Sequence, residues 1–145
     1  MSYLSNFERS FSEHTLAIVE EGYSGEYDAT LLINCLLGLL VVPKETMLHA
    51  IPDTPLSELK KWGIEPSSIK ATGQAKGKND PDPNTLRGLV FNMRHSVAHF
   101  RIKPIPSEGE VEAFEFTNDR GLHAEVALAE LREFVKRLSA HLKVQ

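Results

Sequence analysis

The sequence predicts a mostly α-helical domain, an up-and-down bundle of about four main helices with a small β-hairpin inserted before the last. Three observations carry that expectation. Apolar residues recur at helical spacing in residues 6–21, 85–100 and 123–142. Residues 26–42 are almost continuously apolar and stop at Pro43. Between the last two helical stretches, Val111, Phe114 and Phe116 are β-formers that follow the turn sequence Ser107-Glu108-Gly109.

A chain of 145 residues fits one domain, 1–145, with its own core. Hydrophobic residues make up 41% and charged residues 25%, the mixture of a folded protein rather than a disordered one. Sixteen basic against 20 acidic side chains leave a net charge of −4. That balance opposes nonspecific coating of nucleic acid, which neutralises many phosphates at once. A local basic site remains compatible with it. Cys35 is the single cysteine, so no intrachain disulfide is expected, and its apolar setting suits a reduced, buried thiol. Residues 1–9 lack the basic-then-apolar pattern of a signal peptide, and the apolar run 29–42 is shorter than the ~18 residues of a membrane span. A cytoplasmic protein without membrane association is expected.

The first helix, 6–21, carries Phe7, Phe11, Leu16, Ile18 and Val19 and stops at Gly22. Glu26 and Asp28 suit the first turn of the second, and the short link makes 6–42 a helical hairpin. Residues 43–83 form a variable middle, with short helices at 44–50 and 56–62. Residues 69–83 are rich in Gly, Asn and Pro and read as an exposed loop made basic by Lys70, Lys76 and Lys78. Asn84 is the expected N-cap of a helix over 84–100. Pro104 and Pro106 forbid a central strand position within the hairpin at 101–118. A closing helix is expected over 121–143, with Val126, Leu128, Leu131, Phe134, Val135 and Leu138 at helical spacing.

The helix over 84–100 has two faces that both ask for partners. At about 100° per residue, Leu86, Leu89, Val90, Met93, Val97 and Phe100 gather on a core arc. The opposite arc carries Gly88, Phe91, Arg94, His95, Ala98 and His99. Small residues beside a phenylalanine suit a second packed surface. Gly88, Phe91 and Ala98 are therefore candidate homodimer contacts, because a twofold interface meets itself and brings both copies of an Arg/His pair to one cleft. The competing reading packs Phe91 under the loop at 69–83.

Residues 94–99, Arg94-His95-Ser96-Val97-Ala98-His99, resemble the Arg-x4-6-His signature of the HEPN superfamily (higher eukaryotes and prokaryotes nucleotide-binding). Residues 27–40, Tyr27-Asp28-Ala29-Thr30-Leu31-Leu32-Ile33-Asn34-Cys35-Leu36-Leu37-Gly38-Leu39-Leu40, and the hairpin after His99 are similar to a small bacterial and plasmid-borne HEPN subfamily. The resemblance implies a dimeric helical bundle and, as in many members, metal-independent ribonuclease activity in toxin–antitoxin, CRISPR or antiphage systems. Arg94 matches the family arginine and His99 the family histidine. Two positions depart from the pattern: His95 stands where Asn or Asp is frequent, and Arg101 stands where some HEPN toxins carry a modifiable tyrosine.

The chemistry suits those residue types. RNA carries its own nucleophile, the 2′-hydroxyl, so cleavage needs proton transfer near neutral pH and a cation on the phosphoryl oxygens. Imidazole is the side chain for the first, making His99 the candidate acid–base group. Guanidinium is a permanent planar cation that matches phosphate, making Arg94 the candidate clamp. The offset of five residues sets the two about 140° apart on one helix. His95, one turn before His99, is a supporting residue, with Ser96 and Asn34. Asn34 on an apolar helix also fits a buried hydrogen-bonding role. The His95/His99 spacing suits metal ligation, but the sequence offers no third ligand, so neither metal nor cofactor is expected. The leading expectation is an RNA endonuclease that leaves a 2′,3′-cyclic phosphate, with RNA as substrate and an antitoxin as a candidate partner. The alternatives are a catalytically inactive HEPN module binding nucleotide, RNA or protein, and a purely structural dimerisation domain.

Overall fold

In the computed structural model, residues 50–143 are described. The helical hairpin expected at 6–42, with Asn34, lies outside the described residues, as does nearly all of the short helix expected at 44–50. Two 3-10 segments, Leu56–Trp62 and Pro66–Ser68, lead into β1 (Ile69–Thr72). Helix α1 (Leu86–Ala98) follows, then β2 (Ile102–Ser107), β3 (Glu110–Thr117), β4 (Leu122–Ala127) and α2 (Leu128–Lys143). The strands form one antiparallel sheet in the order β1-β4-β3-β2.

This corrects the expectation of a mostly α-helical bundle with a small hairpin. Among the described residues 41% are helical, 3-10 segments included, and 28% are in strands. The hairpin of β2 and β3 is half of a four-stranded sheet. β4 occupies the first turns of the helix expected at 121–143. Leu122, Ala124 and Val126 alternate with half-buried His123, Glu125 and Ala127, a period of two that the local sequence shows only weakly. Gly121, at φ 95°, turns the chain from β3 into β4, and Asn118 closes the turn by accepting from the amides of Arg120 (3.0 Å) and Leu122 (2.9 Å). β1 lies inside the segment read as loop. Its strand state comes from pairing Ile69 with Ala124, and Ala71 and Thr72 with His123 and Leu122.

Both helices lay apolar stripes on one face of the sheet. Leu86, Leu89, Val90, Met93 and Val97 of α1 join Leu131, Phe134, Val135, Leu138 and Leu142 of α2. The sheet supplies Phe114, Phe116, Leu122, Ala124 and Val126, and Ile51, Leu59 and Ile64 close the core from the 3-10 side. Trp62 packs against this core, edge-on to His141 at 5.4 Å. Thr85, rather than Asn84, caps α1: its hydroxyl oxygen accepts from Gly88 N at 3.1 Å and donates to Asp82 O at 2.7 Å. Glu130 binds the start of α2 to the 3-10 region. It accepts from Ala127 N (3.1 Å), Glu65 N (2.7 Å) and the buried Ser68 hydroxyl (2.8 Å).

Candidate functional site

The expected site residues cluster where α1 ends. The helix stops at Ala98, with His99 as C-cap and Phe100 in the left-handed region at φ 56°. Phe100 N donates to Val97 O (3.1 Å) and Arg101 N to Ser96 O (2.7 Å), the paired bonds of a Schellman ending. Ser96 is fully buried, and its hydroxyl donates to Arg101 O at 2.9 Å, which also accepts from Thr117 N at 3.2 Å. Ser96 therefore ties the helix exit to the sheet. Phe100, expected on the core arc, is instead 81% exposed, because the helical phase no longer applies beyond Ala98.

His95 is positioned by its own helix. Its Nδ1 lies 3.0 Å from Phe91 O. A carbonyl only accepts, so Nδ1 carries the hydrogen and Nε2 is the acceptor in the neutral ring. The ring meets Phe91 edge-on at 4.7 Å and stacks on His99 at 6.4 Å, with 20° between planes. The two imidazoles, with Arg101, Asn118 and Asp119, line a cleft of about 90 Å³. Asn118 and Asp119 escaped the sequence reading. Their Asn-Asp-Arg-Gly run signals a turn, but its arrival beside α1 depends on the pairing of β3 with β4. Asn118 is anchored there by donating to Asn92 Oδ1 at 2.9 Å.

Arg94 is half-buried on α1 and does not line this cleft. Among the described residues its side chain makes no hydrogen bond or ion pair. Ala98 and His99 are exposed. Gly88 and Phe91 are engaged within the chain. A Cβ on Gly88 would fall 2.0 Å from Asp82 O and 2.7 Å from Pro83 Cα, so the glycine admits the backbone of residues 82–83. The Phe91 ring lies 5.3 Å beneath the Arg120 guanidinium. Arg120 pairs in turn with Asp80 at 3.5 Å, within the loop read as exposed. The Gly77 amide, with the Lys76 amide and the charge of the Arg120 guanidinium, holds the Asp80 carboxyl below the usual aspartate range. Arg87, near the start of α1, donates to Ile51 O (2.8 Å) and pairs with Asp53 (3.2 Å).

Among the described residues one group has metal-binding chemistry. Glu115, His123 and Glu125 share the sheet face opposite the core, with ligand atoms within 4.8 Å of one another. His123 Nε2 lies 3.4 Å from Glu115 and 3.6 Å from Glu125, and Lys103 is the cross-strand neighbour of Glu115. Among the described residues, no third ligand joins His95 and His99 in such a group.

Among the described residues no helix is long and apolar enough to cross a membrane. No curated protein and no solved structure matches the chain. A family model described as HEPN pEK499 p136 matches residues 1–145. A match that leaves no residue uncovered assigns membership: the chain belongs to this HEPN family.

Proposed function

We propose that the protein is a metal-independent RNA endonuclease of HEPN type, acting as a homodimer in the role of a toxin or antiphage effector. The observation that supports this reading is the stacked pair of imidazoles opening on a cleft edged by Arg101, at the end of the helix that also carries Arg94. His99, exposed at the helix end, takes the proton from the 2′-hydroxyl. The 2′-oxygen bonds to phosphorus, the bond to the 5′-oxygen breaks, and a second imidazole returns a proton to that leaving oxygen. His95 or the second copy of His99 fills that role. Arg94 is the clamp on the phosphoryl oxygens, and Arg101 supplies a second cation from the cleft wall. The products are a 2′,3′-cyclic phosphate and a 5′-hydroxyl.

The cleft's size favours a strand over a free nucleotide. Its roughly 90 Å³ is far below the ~300–1,000 Å³ of pockets that engulf small ligands. A shallow cleft suits a backbone passing through, or one half of a site completed by a second copy. With Gly88 and Phe91 engaged internally, Ala98 and the helix end are the part of the expected surface left for that copy.

The position of Arg94 outside the cleft favours a second reading, a catalytically inactive HEPN module that binds RNA, a nucleotide or a protein partner such as an antitoxin. Incubation with RNA in excess chelator separates the two. The enzyme leaves cyclic-phosphate ends there, and His99→Ala lowers the rate by roughly 10²–10⁴-fold. His99→Ala also relieves any growth inhibition on expression. Identical cleavage by wild type and His99→Ala, or activity only with a divalent metal, rejects the proposed mechanism.

A further inference from the structure

Among the described residues Phe100 is the one large hydrophobic side chain left exposed, at 81%. It also occupies a left-handed backbone position, φ 56°, that glycine adopts without strain and a phenylalanine does not. The ring covers no core. Yet the backbone beneath it is held on both sides. Phe100 N and Arg101 N both donate back into α1, and Arg101 O accepts from Ser96 and Thr117. Strain and exposure at a rigid point are the signature of a residue kept for an intermolecular contact.

We propose that Phe100 is a stacking platform for an unpaired nucleobase of the RNA substrate, a subsite that rests on the nuclease reading above. Its chain neighbours are His99 and Arg101, two walls of the cleft, so a base on the ring lies next to a backbone phosphate in the cleft. Lys103 is exposed on the strand that follows. A solitary exposed ring that stands between His99 and Arg101 in the chain suits a base, whose flat face needs only one aromatic partner. A protein interface would instead bury a contiguous apolar centre. The platform selects single-stranded RNA, because a paired base offers no free face.

The test is fluorescence polarisation of a labelled, unstructured RNA oligonucleotide with His99→Ala protein, which binds without cutting. Phe100→Leu keeps the apolar bulk and removes the aromatic face, Phe100→Trp keeps the face, and Phe100→Gly removes both while relieving the backbone. Binding weakens roughly 5- to 100-fold for Phe100→Leu and Phe100→Gly and is kept by Phe100→Trp. Phe100→Gly melts no lower than its parent, which shows that lost binding is not lost folding. Equal binding by Phe100→Leu overturns the platform and leaves the nuclease reading intact. So does loss of dimer in Phe100→Gly with RNA affinity unchanged, which assigns the ring to a protein contact. If the His99→Ala parent binds no RNA and wild type cuts none, the nuclease reading itself fails.

Discussion

Replacing Gly88 by alanine tests the packing of α1 most directly, because two ordinary expectations oppose each other. In an exposed helix interior the exchange stabilises by about 1 kcal/mol. Here the new Cβ would lie 2.0 Å from Asp82 O, 2.6 Å from Asp82 C and 2.7 Å from Pro83 Cα. All three are backbone atoms, so no rotamer change relieves the overlap. Overpacking of this kind typically costs ~1–3 kcal/mol. The displaced segment also carries the acceptor for Thr85, whose cap on Gly88 N is worth ~1 kcal/mol. The balance is a net loss of about 1–3 kcal/mol, or a fall in Tm of roughly 3–10 °C. Thermal and urea unfolding measure it, with sedimentation at two concentrations to follow association. A Tm that rises as helix propensity alone demands would show that residues 82–83 do not rest on α1. A variant whose folding is untouched but whose dimer is lost would place Gly88 between copies instead.

Two further outcomes follow from polar groups that join separate elements. Glu130→Ala removes the acceptor of the Ala127 and Glu65 amides and of the buried Ser68 hydroxyl, and is expected to cost about 2–3 kcal/mol in urea unfolding, against a few tenths for a solvated surface glutamate. Asp80 ionises below the usual aspartate range in the folded protein, so its contribution is complete above about pH 4 and is lost as pH falls through the lower folded value. The amide resonances of Lys76 and Gly77 should shift in that acid window, and Asp80→Asn should abolish the shift; a shift that persists in Asp80→Asn contradicts the assignment.

α1 and the far part of α2 were legible because each sets four or five large apolar residues on one stripe, a pattern that local sequence contains whole. β4 was not. Val126, Leu128 and Leu131 mimic helical spacing, no proline intervenes after Gly121, and Ala124 is a weak marker of alternation. β1 was not legible either, since Lys70 and Ala71 are exposed and only its pairing with β4 makes it a strand. The site divides in the same way. His95 and His99 stack because they stand four apart on one helix, which spacing alone predicts. Asn118, Asp119 and Arg120 reach that helix through a turn between strands, a long-range event. Phe100 was misplaced because a rotational phase was carried past the residue at which the helix stops.

Pro104 and Pro106 have a bearing on how copies of the protein can meet. β2 is the outer strand on one side of the sheet, and two of its six residues carry no amide hydrogen. On the other side β1 is only four residues long and irregular in register. Neither border offers the ladder of free donors and acceptors that another backbone would need to join on. Through this part of the chain, association must therefore be read out by side chains, and a change of one side chain can switch it off without unravelling the protomer.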